Sequence, residues 1–215
     1  MSAICTRFRL TWIIESVTLL GNDIAMKIAI ALDGSPFADQ AIPWAQLLAS
    51  NLQASVVAVR ALDPFVPGTA GLVPSMMIRL QEEELGKAQE QMKGCLPQTW
   101  ETRVVLGDPK SVLGSWAASD KIAGLVLASH GRSGGARWLL GSVAEAVLRQ
   151  SHVPMLIVRP AATPKEARVD AAVRRVLVPL DGSETATQVF EDLPRWIGEN
   201  TELILLRATG FAVRE

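Results

Sequence analysis

Between Lys27 and Arg159 the chain alternates short runs of branched apolar residues with stretches long enough for several helical turns, and no other feature constrains its fold as strongly. The runs are Lys27–Leu32, Ala54–Arg60, Arg103–Leu106, Gly124–Ala128 and Pro154–Arg159. They are rich in Val, Ile and Leu at consecutive positions, as strands covered on both faces must be. The stretches between them read as helices over Pro36–Ser50, Ser75–Gly94, Pro109–Ala118 and Ser142–Gln150. Regular alternation of strand and helix predicts an α/β fold: an open, doubly wound, five-stranded parallel sheet with helices on both faces.

Local signals sharpen two of these helices. Ser35 followed by Pro36 is an N-cap with proline in the first turn, where a missing N–H costs nothing. Pro43 conflicts with a continuous helix over Pro36–Ser50, because an interior proline removes a hydrogen bond and costs about 3 kcal/mol unless the helix kinks or restarts. The second helix carries Glu82, Glu83, Glu84, Lys87, Glu90 and Lys93, and reads as a solvated face.

After the fifth strand the text repeats. IAIALDGS at 28–35 returns as VLVPLDGS at 176–183, followed by a helical stretch and a second apolar run, Leu203–Arg207. Repetition at this spacing is repetition of a domain. The expected organisation is an N-terminal extension over 1–25 that need not be native, a complete domain over 26–160, an Ala-rich and charged linker over 161–173, and the opening of a second, truncated copy over 174–215. Within the extension, Leu10–Leu20 holds Glu15 and is too short to span a bilayer, and no signal-peptide cleavage pattern follows it.

Composition excludes several classes of partner. Lys plus Arg number 21 against 22 Asp plus Glu, a net charge of -1, so no overall positive field draws in nucleic acid or an anionic membrane. Two cysteines, Cys5 and Cys95, and two histidines, His130 and His152, are too few and too scattered for a zinc site or a disulfide framework. A cytoplasmic protein without a resident metal is expected.

Two loops carry the candidate chemistry: Leu32–Ser35 after the first strand, and Ala128–Ser142 between the fourth strand and the last helix. In open α/β sheets, ligands bind beyond the carboxyl ends of the strands where the strand order reverses, which for a 2-1-3-4-5 or 3-2-1-4-5 winding lies beside the first strand. Gly131, Gly134 and Gly135 permit close backbone approach, and Gly141-Ser142 offers amides and a hydroxyl at a helix N-terminus. Such a loop suits a phosphate. It equally suits a glycine-rich turn in which Ser142 caps its own helix. Asp33 can accept hydrogen bonds from ribose hydroxyls or an adenine amino group, or can form the turn before Gly34. Arg132 and Arg137 are candidates for phosphate neutralisation or for solvated surface, and His130 for ordering its own loop.

IALDGS, VVLGDP and ASHGRSGGARWLLGSVAEAVL running into PMLIVRP, in this order and spacing, resemble the universal stress protein family. The resemblance covers about Met26–Pro160 and, for a second time, Arg174–Arg207. It implies an adenine-nucleotide site for ATP, with magnesium accompanying the nucleotide. Asp33 would contact the ribose or adenine, Ala61 would form part of the adenine wall, and Gly107 would be a close-approach position. Gly131, Gly141, Ser142 and Val143 would be phosphate contacts. Ala128 stands where the family's nucleotide-binding members have the first glycine of the phosphate loop. The resemblance also implies a homodimer paired through the fifth strand. There is no P-loop lysine and no carboxylate cluster for metal-assisted hydrolysis, so a nucleotide-dependent stress regulator is expected rather than an enzyme. A dimeric interaction module that binds no nucleotide is the alternative.

Overall fold

A computed structural model of the chain describes residues 2–9, 26–64, 73–119, 121–130, 140–161, 172–198 and 201–209. The described residues belong to two compact units, one spanning 25–171 and the other drawn from 1–24 and 172–215. Residues 10–25 of the expected extension and 162–171 of the expected linker lie outside the described residues.

The larger unit holds five parallel strands: β2 (Lys27–Ala31), β3 (Ser55–Leu62), β4 (Glu101–Leu106), β5 (Gly124–Ala128) and β6 (Met155–Val158). Their spatial order is β4-β3-β2-β5-β6, the 3-2-1-4-5 winding. The consecutive apolar residues of β2, β3 and β5 are consumed on both faces. Ala29, Ala31, Val57, Val59, Leu125 and Leu127 pack with Leu113, Ala117, Ala144 and Val147 of helices α3 (Pro109–Ala117) and α4 (Ser142–Gln150). Ile28, Ile30, Val56 and Ala58 point to the other face and are also buried. Helices α1 (Ile42–Leu52) and α2 (Pro74–Cys95) bury Ala45, Leu48, Ala88 and Met92 and leave the charged side of α2 exposed.

The first expected helix is broken where Pro43 stands. Ser35 Oγ accepts the Ala38 amide at 3.2 Å, but the turn it starts winds as a 3-10 helix over Ala38–Ala41, and α1 restarts at Ile42 with Pro43 in its first turn. An α-helix running through Pro43 would drive its ring into the carbonyl four residues back. The third strand begins two residues earlier than expected, at Glu101, whose carboxylate holds Lys27 on β2 at 2.8 Å. The second strand runs on to Leu62, so Ala61 is part of it.

The smaller unit has the order β1-β8-β7, with β1 (Ser2–Arg9), β7 (Arg175–Leu180) and β8 (Glu202–Thr209). β7 and β8 are parallel, joined through short α5 (Glu184–Thr187) and α6 (Val189–Ile197), and repeat the opening of the larger unit. The turns correspond bond for bond. Ser35 N donates to Asp33 Oδ1 at 2.9 Å and Ser183 N to Asp181 Oδ1 at 2.8 Å, while Ser183 Oγ accepts the Ala186 amide at 3.1 Å as Ser35 Oγ accepts that of Ala38. β1 pairs antiparallel with β8, from Ser2 opposite Thr209 to Arg9 opposite Glu202. It takes the edge of β8 that β4 takes on β3, in the opposite direction.

Candidate functional site

The carboxyl ends of β2, β3 and β5 open into a cavity of about 320 Å³, closed on one side by the start of α4. This is the reversal point of the sheet, since β2 sends its connection to one side and β5 lies on the other. Six of the eight residues singled out above line it: Asp33, Ala61, Ala128, Gly141, Ser142 and Val143. Gly107 does not. It has a φ of +153°, its amide donates to Leu62 O at 2.8 Å, and a Cβ there would lie 2.8 Å from Val112 Cγ2, so its close approach is to α3 rather than to the cavity. Gly131 lies outside the described residues, as do Gly134, Gly135, Arg132 and Arg137.

Each wall follows from local structure. Asp33 forms the turn, its carboxylate taking the Ser35 amide, and also lines the cavity. Leu62, Leu113, Leu127 and Pro109 add apolar surface, and Asp63 adds a second carboxylate. Ala128 ends β5 opposite Val158 of β6 and lines the cavity. His130 completes the wall, with its Nδ1 3.0 Å from Ser129 Oγ.

The start of α4 does not follow the alternative in which Ser142 caps its own helix. Gly141, not Ser142, is the N-cap, and no side chain caps the helix. Ser142 is the first helical residue, so the amides of Ser142, Val143 and Ala144 belong to the first turn, where helix geometry provides no partner. The Gly141 amide is already used, donating to Ser129 O at 2.8 Å. Gly141 has an ordinary φ of -60°, and it is required because a Cβ would stand 2.7 Å from that same backbone oxygen. The glycine therefore locks the start of α4 against the end of β5 and leaves the next amides to the cavity.

The electrostatics divide the cavity. Asp33 and Asp63 lie toward β2 and β3, no Lys or Arg occurs among the described lining residues, and the positive end of the α4 dipole faces from the opposite side. Behind the turn, burial raises the Asp39 carboxyl above the ordinary range, neighbouring Asp33 adds to this, and Arg60 opposes it. Among the described residues no group of His, Cys, Asp and Glu could hold a metal ion.

Asp63, Asp39 and Arg60 were not read from the sequence. Arg60 alone carried a signal, as the one charge inside the apolar run Ser55–Leu62. The letters Gly131-Arg132-Ser133-Gly134-Gly135 fit the G-x-S-x-G spacing of a nucleophile elbow. These residues lie outside the described residues.

Residues 25–159 match the sequence profile described as the Universal stress protein family. The chain is 30% identical over 154 residues to a universal stress protein of Methanocaldococcus jannaschii, a match covering 69% of this chain and 90% of that protein. It is 36% identical over 137 residues to a universal stress protein of Mycobacterium bovis, covering 61% of this chain and 45% of that longer relative. Among solved structures it is similar to a universal stress protein in complex with cAMP, at 25% identity and a TM-score of 0.43, covering 64% of this chain and 98% of that one.

Proposed function

The chain belongs to the universal stress protein family, and we propose that it binds an adenine nucleotide, ATP, in the cavity at the ends of β2, β3 and β5 and acts as a nucleotide-dependent regulator of a stress response. The observation that carries this reading is the division of one cavity into a carboxylate and apolar side and a helix N-terminal side. Two carboxylates repel phosphate but accept hydrogen bonds from ribose hydroxyls or the adenine amino group. Ala61, Leu113 and Leu127 offer apolar surface to a base, and the amides of Ser142 and Val143 suit an anion in the way helix N-termini generally do. A volume of about 320 Å³ lies at the lower end of the range for small-molecule sites. Any magnesium would be held chiefly by the nucleotide's own phosphates. Binding without rapid turnover in the cytoplasm is the role this reading assigns.

Titration calorimetry with ATP tests it on the whole protein and on Ser142→Pro. Proline is tolerated at the first helical position, so this variant removes one amide and one hydroxyl while keeping α4. The wild type binds. Loss of a charge-assisted bond worth about 1.5–3 kcal/mol weakens the variant roughly 10- to 100-fold. No binding by the wild type at millimolar ATP refutes the proposal.

A dimer is the second part of the reading, supported by the position of β6 at the edge of the sheet. Pro154 O and Val158 O serve β5, so the backbone groups of Met155 and Ile157 face outward. We propose that two copies pair through these edges. If ATP does not bind, this pairing is what the interaction-module alternative retains.

A further inference from the structure

The turn that presents Asp33 to the cavity is backed by a buried cation. Arg60 is only 7% exposed, at the end of the strand that also supplies Ala61 to the cavity. Strand alternation sends the two side chains to opposite faces, so β3 serves the front of the turn with Ala61 and its back with Arg60. The guanidinium Nη1 donates to Gln91 Oε1 on α2 at 2.8 Å. It also lies against Gly34, where a Cβ would meet Nη1, Cζ and Nη2 at 2.6, 2.7 and 2.8 Å, and where φ is +79°. Gly34 is thus glycine for two reasons, its left-handed backbone and the cation packed on it.

The turn is a partition. Asp33 lines the large cavity, while Gly34, Asp39, Arg60 and Gln91 surround a small hollow behind it, and Leu32 lines both. The charge of Arg60 acts on Asp39, opposing the larger effect of burial on that carboxyl. The smaller unit repeats the packing with an exposed arginine: Gly182 has a φ of +93°, and a Cβ there would meet Arg207 Nη2 at 2.6 Å. The arrangement therefore accompanies the Asp-Gly-Ser turn itself.

We propose that Arg60 is a positioning residue that holds the Asp33–Ser35 turn from behind and so sets the affinity of the cavity for its nucleotide, a proposal that rests on the reading of the cavity given above. Arg60 does not touch the ligand. It fixes the peptide from which the Asp33 carboxylate projects, and lysine, with a point charge on a flexible stem, reproduces the charge without the planar contact on Gly34.

The test uses the full chain and its variants Arg60→Met, Arg60→Lys and Arg207→Met, read by residue-resolved amide exchange and by ATP titration. In Arg60→Met, exchange at Ser35 and Ala38 accelerates about tenfold or more while the amides of β2 and β5 hold, and ATP affinity falls by a similar factor. Arg60→Lys recovers part of both. Arg207→Met loosens Ser183 and Ala186 and leaves ATP affinity unchanged. Unaltered exchange at Ser35, or acceleration spread evenly through the sheet, overturns the proposal, as does a loosened turn with undiminished ATP affinity. If the wild type binds no ATP, a local acceleration at Ser35 still upholds Arg60 as the holder of the turn, and the nucleotide reading alone fails.

Discussion

Replacing Gly141 by alanine adds a single methyl group, yet its cost is set by an immovable neighbour. The new Cβ would stand 2.7 Å from Ser129 O, and ordinary contact begins at 3.4 Å, so strand end and helix start must separate by more than half an ångström. Both partners resist. Ser129 O receives the Gly141 amide at 2.8 Å, and the Ser129 amide is bound to Val158 O at 2.7 Å, so retreat loosens the contact to α4 and strains the one to β6. Overpacking of this kind costs about 1–3 kcal/mol and a weakened hydrogen bond about 1 more, for a total of roughly 2–4 kcal/mol. In a unit of this size that lowers the melting midpoint on the order of 10 °C. Gly114→Ala is the discriminating companion. Its Cβ would come still closer to an atom, 2.5 Å, but the atom is the Oε1 end of the exposed Gln150 side chain, which swings aside. That change should cost less than about 1 kcal/mol. Gly86→Ala, with nothing within 4 Å on exposed α2, should gain up to about 1 kcal/mol from helix propensity. Thermal melts followed by circular dichroism rank the three. If Gly141→Ala and Gly114→Ala melt together, the distinction between a backbone and a side-chain obstacle is wrong.

Three further outcomes follow from the charges and the edge. Asp39→Asn should stabilise the protein at neutral pH, because burial raises the Asp39 carboxyl in the folded state; the advantage should shrink as pH falls through that raised value, and denaturant midpoints from pH 4 to 8 that show no convergence would contradict it. Asp108→Ala should destabilise in the opposite sense. The Ser111 amide and hydroxyl hold the Asp108 carboxyl below its ordinary value, so the stability it contributes is present above the unfolded value and disappears as pH drops through the folded one; equal losses at acid and neutral pH would refute this. Light scattering should give a dimer for the full chain and a monomer for Ile157→Pro, which removes an outward amide of β6; a monomeric wild type would defeat edge pairing.

Much of the fold was legible because it rests on local patterns. Consecutive Val, Ile and Leu in Ile28–Ala31, Val56–Val59 and Leu125–Leu127 announce strands buried on both faces, and the repeated LDGS announces the second unit. The helix break at Pro43 was posed by the sequence as a conflict and resolved only by the 3-10 turn. What stayed hidden depends on distant neighbours. Nothing near Gly141 reveals that its obstacle is Ser129 O, nothing near Gly34 reveals Arg60, and Gly107 gives no hint that it abuts Val112 instead of the cavity. β1 was missed for the same reason, since its strand partner β8 lies far away in the sequence.

That pairing has a kinetic consequence. The larger unit is one continuous segment, and its strands can find one another as soon as residues 25–171 exist. The smaller sheet is discontinuous. Its β1 precedes the larger unit in sequence, and its partner strand is not available until Glu202–Thr209 has been synthesised. Loop closure grows only slowly with length, about 0.6 kcal/mol per doubling, so the delay is one of timing more than of equilibrium. Contacts of such long sequence separation form late. During synthesis the larger unit can be complete while β1 still lacks this partner, and their pairing waits for Glu202–Thr209.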